Sequence, residues 1–463
     1  MGDDGWVDRG DDSLFHPWVK PSEVYARGRA LREEVRPKLH DHEAKGPDRP
    51  DAVSFVHASN EARLPELVPL RVGRMLASPF AFYRGSAELM AADLAATPVS
   101  GITAQICGDA HAANFGLFGT NEGRIVMDIN DFDETAPGPW EWDLKRLATS
   151  LVLAGREGGV SEDGCAKAAQ DAVRAYRRTM ARLAEMPFME AWNALADAST
   201  ISKLKADELL DDFEKASKKA RKNTSRKVAA KWTRQVRRDQ WRFVEELPVL
   251  RHVTAPTAES VAASLSSYVG TLRESRRDLI TRYAIADVAF RVVGTGSVGL
   301  RNYLVLLHGN DDDALVLQVK QANPSCLTRY LGLPEHAHDG RRVVEGARLV
   351  QAETDILLGW TTVEGRHYIV RQFRNMKGDI DPTALRKDHL DDYGRLAGAL
   401  LARAHCRTAD ARLLAAYCGE DDELDEAITR YALRYADVTE ADHADLVAAV
   451  KRGELVAEVE DRD

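Results

Sequence analysis

The sequence holds no hydrophobic run long enough to cross a bilayer. The longest, LATSLVLAG from Leu147 to Gly155, falls far short of the ~20 apolar residues that a spanning helix needs. Cysteine is scarce and scattered. Cys107, Cys165, Cys326, Cys406 and Cys418 include no C-x-x-C pair and are odd in number, which argues against a disulfide framework or zinc site and for reduced thiols. The opening MGDDGWVDRGDD lacks the basic and apolar regions of a secretory signal, and Trp6 stands where N-myristoylation takes Ser or Thr. A cytoplasmic protein with no membrane partner is the expectation. No internal repeat or low-complexity tract is present, so solenoid and fibrous architectures drop out. The length of 463 residues suggests two or three domains. The net charge of -10 argues against a nucleic-acid coat.

One basic tract runs against that balance. ASKKARKNTSRKVAAKWTRQVRR, from Ala216 to Arg238, carries ten Lys/Arg and no acid. Such runs can bind nucleic acid or polyphosphate. Its only aromatic is Trp232 and its upstream flank DELLDDFE is acidic, so a solvated helical face is expected and nucleic acid is not the expected partner.

Chemistry concentrates between Ile106 and Ala148, ICGDAHAANFGLFGTNEGRIVMDINDFDETAPGPWEWDLKRLA. GITAQIC predicts a strand ending at Gly108, NFGLF and RIVMDI predict a hairpin joined by GTNEG, and Pro137 and Pro139 close the next loop. DLKRLATSLVLAGRE has helical periodicity up to Gly158-Gly159. Asp109 on the first loop can accept the proton of an attacking hydroxyl, and Asn114 can ligate a metal beside it. Asp128, Asp131 and Asp133 follow the hairpin. Hard oxygen ligands without a Cys or His partner suggest Mg²⁺ shared with substrate phosphates, and clustered carboxylates without a cation would repel. His111 is expected to hydrogen-bond structurally. Upstream, the Ala62–Ala95 stretch predicts a helix. Arg84, in FYRGS, can hold a phosphate or carboxylate or pair with a nearby aspartate.

The second concentration lies downstream. Pro248 to Pro256 predicts a linker and Glu259 to Ile285 a helix, after which VAFRVVGTGSVGLRNYLVLLHG reads as strand, glycine turn, strand. Gly294, Gly296 and Gly299 form G-x-G-x-x-G. A dinucleotide fold needs a helix after the third glycine; a strand follows here, so the loop is a hairpin tip. Backbone amides of Gly294, Gly296, Ser297 and Gly299 can there approach triphosphate oxygens. ALVLQVKQA is the next strand, and its Lys320 is expensive to bury unpaired. In kinase-type sites such a lysine holds phosphates and is oriented by a helix glutamate. Glu345, on the helix expected from His338 to Ala352, is the expected partner, and Glu353 the second candidate. Strands near DILLGWTTV and HYIVRQF, a helix from Pro382 to Arg407 and an acidic helical tail complete the chain.

GDAHAAN, a hairpin, DINDFDE and a Trp-x-Asp-Leu helix start resemble aminoglycoside- and choline-type phosphotransferases of the protein-kinase-like superfamily. By that likeness Asp109 is the catalytic aspartate, Asn114 a metal ligand and Asp131 the principal one, with Asp128 and Asp133 as alternatives. Asp131 keeps the expected spacing to Asp143. FYRGS, GDAHAANFG, DINDFDE and DLKRLATS together are similar, over most of the chain, to a bacterial family known as a domain of unknown function. The glycine loop and lysine follow the catalytic loop where kinase-like enzymes have them first. The resemblance therefore implies an α+β, two-lobe, circularly permuted kinase-like fold. Residues 1–60 would be an N-terminal arm, 61–285 a helical lobe with the catalytic and metal loops, 286–375 a small β-rich nucleotide lobe, and 376–463 helices returning to the helical lobe, with the helix ending at His405 leading into the catalytic loop. Lys320 should then lie within ~10 Å of the aspartates across a triphosphate-sized cleft. The implied activity is ATP- and Mg²⁺-dependent phosphoryl transfer to a hydroxyl of a small-molecule acceptor. Nucleotidyl transfer and a non-catalytic nucleotide-binding scaffold are the alternatives. A metal-dependent phosphoesterase would need two metals and further Asn/His ligands, and no Gly-Asn-His motif follows.

Overall fold

Prolines and glycines cut the Ala62–Ala95 stretch into three helices where the sequence suggested one: Val68–Leu76, Pro79–Tyr83 and Ala87–Leu94. Pro79 starts the second behind Ser78, whose hydroxyl accepts from Ala81 N at 3.0 Å. The computed structural model describes residues 18–42, 45–47, 49–120, 122–193, 209–237, 240–292, 294, 296–310 and 313–458. Trp6, Val293, Thr295 and Arg238 lie outside the described residues. The expected arm is helical from Pro21 to Glu34 and again from Ala52 to Asn60. Arg32 ties it down, donating to Tyr417 O at 2.8 Å and pairing with Asp421 at 2.7 Å. An arginine anchor and a polar helix gave the sequence no apolar stripe to show this docking.

The helical part is organised around Trp140–Glu157, buried at every position from Trp140 to Gly155. Three helices surround it: Glu162–Glu185, Lys387–His405 and Glu423–Lys451. The first two approach closely because Gly398 has no side chain; a Cβ there would lie 2.0 Å from Ala172 O. No described helix is long and apolar enough to cross a membrane.

Four short strands frame the loops between. β1 (Thr103–Ile106) feeds the Asp109 loop; β2 (Phe115–Gly119) and β3 (Ile125–Ile129) form the expected hairpin. β4 (Ala136–Pro139) pairs antiparallel with β1, so Pro137 and Pro139 sit in a strand rather than a loop. A two-stranded ribbon has free edges, which is where a strand tolerates proline. The basic tract is likewise divided: helices Leu210–Ala220 and Ser225–Trp232, then β5 (Thr233–Arg237), paired with β6 (Gln240–Phe243). Thr224 caps the second helix, and Trp232 stacks on Phe373.

The expected linker contributes β7 (Leu250–His252), an edge strand. Helices Ala255–Thr271 and Glu274–Ile280 follow, and the chain is already extended at Ala284, where β8 (Ala284–Arg291) begins. β9 (Asn302–His308), β10 (Ala314–Gln321), β11 (Gly359–Val363) and β12 (Arg366–Gln372) complete an antiparallel sheet of order β11-β12-β10-β9-β8-β7. Alternation divides its side chains. Val305, Leu307, Leu317 and Val319 pack under Val261, Leu265 and Tyr268. Leu304, Leu306 and Val316 pack under Val228, Ala229 and Phe243, and two residues further along that face Gln318 and Lys320 line a cleft. After β12 the chain pairs with β2 through β13 (Gly378–Asp379), giving the order β13-β2-β3. The architecture is α+β.

Asp128 locks the hairpin to the helical part. Its buried carboxylate pairs with Arg403 and accepts from Ile129 N at 2.9 Å and Ala352 N at 3.1 Å. Removing one member of such a pair leaves an uncompensated buried charge. Arg403→Met is therefore expected to cost about 3–5 kcal/mol in urea denaturation, with part recovered in Arg403→Met/Asp128→Leu. A single-variant loss below about 0.5 kcal/mol would show the pair to be idle.

Candidate active site

Gly108 opens the Asp109 loop with φ +78°, and a side chain there would meet Glu134 O at 2.4 Å, so glycine alone fits. Asp143, in the first turn of Trp140–Glu157, accepts from the amides of Cys107 at 2.8 Å and Gly108 at 2.9 Å. His405 Nε2 lies 3.3 Å behind it and Nδ1 meets Tyr176 Oη at 2.9 Å. One helical turn on, Arg146 donates Nε to Asp109 Oδ1 at 2.5 Å and Nη2 to Tyr83 O at 2.8 Å. Its guanidinium lies 4.2 Å over the Tyr83 ring. Asp143 thus holds the loop's backbone and Arg146 the Asp109 carboxylate, which stays 23 % exposed. His111 Nε2 lies 3.7 Å from Asp109 Oδ2. Burial pushes His111 down to about 4, against the pull of Asp109, so the ring is neutral at pH 7.

Asn114 is held in the same loop. Its Nδ2 donates to Asp109 O at 3.0 Å and Asp131 O at 3.1 Å, which leaves Oδ1 as the atom that could ligate a cation. Lys320 arrives from β10. Its amine lies 2.6 Å from Asp133 Oδ2 and 3.4 Å from both oxygens of Asp131. The ammonium is nearly fully buried, whereas the Asp131 side chain remains 45 % exposed. Burial pushes Asp131 up, but Lys320, with Arg371 and Lys377 behind it, holds its carboxyl well below the usual carboxylate range. Burial, then the charge of Asp131, pushes Asp133 up to about 6 against Lys320.

These groups open on one cleft of about 850 Å³, which Gly294, Gly296 and Ser297 line from the glycine loop. Gly299 lies just behind, where a side chain would strike Arg63 at 2.8 Å. The loop is anchored from the helical part: Arg63 donates to Val298 O at 2.5 Å, Arg74 to Gly294 O, and Leu64 N to Gly299 O at 2.8 Å.

Two expected site residues are elsewhere. Asp128 faces Arg403 rather than the cleft, because alternation along β3 turns it toward Lys387–His405. Glu345 is exposed and pairs with Arg341 at 2.8 Å, on the outer face of Asp339–Val350. The inner face of that helix presents Arg342, which donates to Thr135 O at 2.8 Å, Asp133 O at 2.7 Å and Asn323 O at 2.9 Å. Lys320 therefore takes its partners from the Asp131–Asp133 turn. Among the described residues no group of three or more His, Cys, Asp or Glu side chains is arranged to hold a metal.

A family model described as uncharacterized protein conserved in bacteria, DUF2252, matches residues 63–449. The chain belongs to that family. The DUF2252 match takes in both the Asp109 loop and the glycine loop with Lys320. No curated protein and no solved structure matches the chain. Sequence reasoning on this DUF2252 chain missed Arg146, Arg342, Arg63 and Arg71. Arg146 had a signal, its i,i+3 spacing from Asp143 on a helix facing the loop; Arg63 and Arg71 had none.

Lys320 governs how this site responds to pH. Asp133 has a folded value above its unfolded ~3.9, so the stability it contributes is complete below that value and lost as pH rises through about 6. Lys320→Met removes the cation that limits the loss. Its deficit in urea denaturation is expected to be about 1–3 kcal/mol at pH 8, discounted for the exposure of Asp131, and to shrink toward pH 4.5. A pH-independent deficit would contradict this assignment.

Proposed function

We propose that this protein is an ATP- and Mg²⁺-dependent phosphotransferase of protein-kinase-like, circularly permuted architecture, acting on a hydroxyl of a small molecule. One observation carries the reading: Lys320, on the strand after the glycine hairpin, meets a turn 187 residues earlier at 2.6 Å, in the cleft that Asp109 and Asn114 also line. In kinase-type sites a glycine-rich loop covers the phosphates, the third strand's lysine grips them, and a metal aspartate and catalytic-loop asparagine hold the ions. Glycine loop β8–β9, Lys320 on β10, Asp131 and Asn114 stand in those places. Asp133 takes the part of the helix glutamate, since Asp339–Val350 turns Arg342 inward.

The chain order supports permutation. The helix Lys387–His405 ends beside β1, with Gln105 N donating to Thr408 Oγ1 at 2.8 Å, so in space that helix runs on into the Asp109 loop. Asp131 and Asn114 Oδ1 are hard oxygen donors, too few for an all-protein site but suited to Mg²⁺ shared with phosphates. Bound there, Mg²⁺ would neutralise charge on the phosphates. Asp109, fixed by Arg146 through Oδ1, keeps Oδ2 to accept the acceptor's proton. The acceptor oxygen bonds to the γ-phosphorus as the bond to the β–γ bridging oxygen breaks. ADP leaves with that electron pair.

Incubation with γ-labelled ATP and a panel of hydroxyl compounds tests this. Labelled phosphoester and ADP are the expected products; labelled pyrophosphate with an adenylylated acceptor would mark nucleotidyl transfer, and tight ATP binding without turnover would mark a scaffold. Asp109→Ala is expected to lower kcat by about 10²–10⁴ and Lys320→Met by about 10²–10³. Glu345→Gln, on the outer face, is expected to stay within about twofold of wild type.

A further inference from the structure

One wall of the cleft belongs neither to the sheet nor to the Asp109 loop. It is built by the segment from Ala58 to Glu88, and Arg63, Arg71 and Arg84 face the cleft from it. The polar partners of the first two are neutral. Arg71, 1 % exposed, donates to Ser59 Oγ at 3.0 Å, Asn60 Oδ1 at 2.8 Å and Gly85 O at 3.4 Å, and its buried Nε has no partner. Arg63 bonds Ser59 O at 2.9 Å as well as Val298 O. Arg84 keeps a buried Nε without a partner, with its guanidinium 6.0 Å from the centre of the Phe80 ring. Burial pushes Arg63 down to about 10 against Glu134 and Asp133; it also holds Arg71 well below the usual arginine range, with the charge of Arg63 adding to the effect. Arg71 has only neutral partners, and a buried guanidinium so placed is costly unless something supplies the opposite charge.

Of the carboxylates nearest this wall, Asp109 is engaged with Arg146, Asp131 and Asp133 with Lys320, and Glu134 with the Cys326 amide at 2.7 Å, while Glu88, at the end of the wall, feels the charge of Arg329. The triphosphate already has the glycine loop and Lys320. Arg84 stands where the two halves meet: an added side chain at Gly296 would lie 3.4 Å from Arg84 O, and the charge of Arg84 is felt by His111, which adjoins Asp109. That is the acceptor's side of the proposed reaction. An amine-bearing acceptor would meet like charge along this wall.

We propose that this wall is the acceptor subsite and that the acceptor is itself an oxyanion, a hydroxyl compound already carrying a phosphate group. Guanidinium donors match phosphate oxygens two at a time, and Arg84, half-buried on the cleft, is the one of the three placed to offer them. The assignment rests on the phosphotransferase reading, and the two can fail separately.

The full-length protein is first saturated with Mg²⁺ and the non-hydrolysable analogue AMP-PNP, then titrated by calorimetry with glucose 6-phosphate, glucose and glucosamine as probes. Glucose 6-phosphate is expected to bind alongside the analogue and the other two at least about tenfold more weakly. Arg84→Gln is expected to weaken that binding about tenfold while leaving AMP-PNP affinity within about twofold, which also reports that the variant folds, and Arg84→Lys, which keeps the charge but not the paired donors, to weaken it less. Displacement of AMP-PNP by the sugar phosphate, or equal loss of both ligands in the variants, overturns the proposal by assigning the arginines to the triphosphate. Preference for glucosamine overturns it too. Arginine-dependent binding of glucose 6-phosphate with no binding of AMP-PNP sinks the phosphotransferase reading and, with it, the acceptor assignment, while leaving an anion site.

Discussion

A lysine between two aspartates sets the geometry of the cleft. Neither side can be buried alone: an unpaired ammonium in a sheet costs several kcal/mol, and two adjacent carboxylates repel. β10 supplies the cation and the turn after β3 the anions, so each half of the molecule completes the other's charge. Arg342 grips the backbone of the same turn, which keeps Asp131 pointing into the cleft while Asp133 spends its charge inside. The glycine loop, anchored by Arg63 and Leu64, is held over that junction from the opposite side.

Most of the site was legible because its residue types are expensive anywhere else. A lysine in LVLQVKQA and aspartates after a hairpin each demand partners, and Lys320 meets Asp131 and Asp133. Glu345 failed for a reason the sequence also contained. It lies about 200° around the helix from Val343, so the stripe of Val343, Val344, Ala347 and Val350 that faces the core turns it to solvent. Asp128 failed by strand parity: it and Asp131 are separated by the end of β3, where alternation stops. Arg84 was legible by itself in FYRGS, but the wall it forms with Arg63 and Arg71 was not, because Arg71 sits on a helix and the other two in turns, with prolines between and no shared period to join them.

In the fold as a whole, long apolar periodicities were read well and polar docking was not. The Trp140–Glu157 helix and the central strands announce themselves by uninterrupted burial. The first helix attaches through Arg32 to carbonyls and carboxylates near Tyr417, and β7 adds itself to a sheet through backbone bonds that any side chain permits. Such attachments are decided by partners far away in the chain, which propensity and pattern do not see.

The Asp128–Arg403 pair has a meaning for how the molecule comes into being. It joins positions 275 residues apart, and Tyr393 Oη, donating to Ala112 O at 2.6 Å, joins others 281 apart. The hairpin and the Asp109 loop therefore leave a ribosome well before the helix that satisfies their buried charge and carbonyl. Such long-range closure is slow, and it leaves the half-made protein with acidic turns in water where the finished one has a lined cleft. The late helix that supplies Arg403 thus acts as the clasp that closes the hairpin onto the helical part.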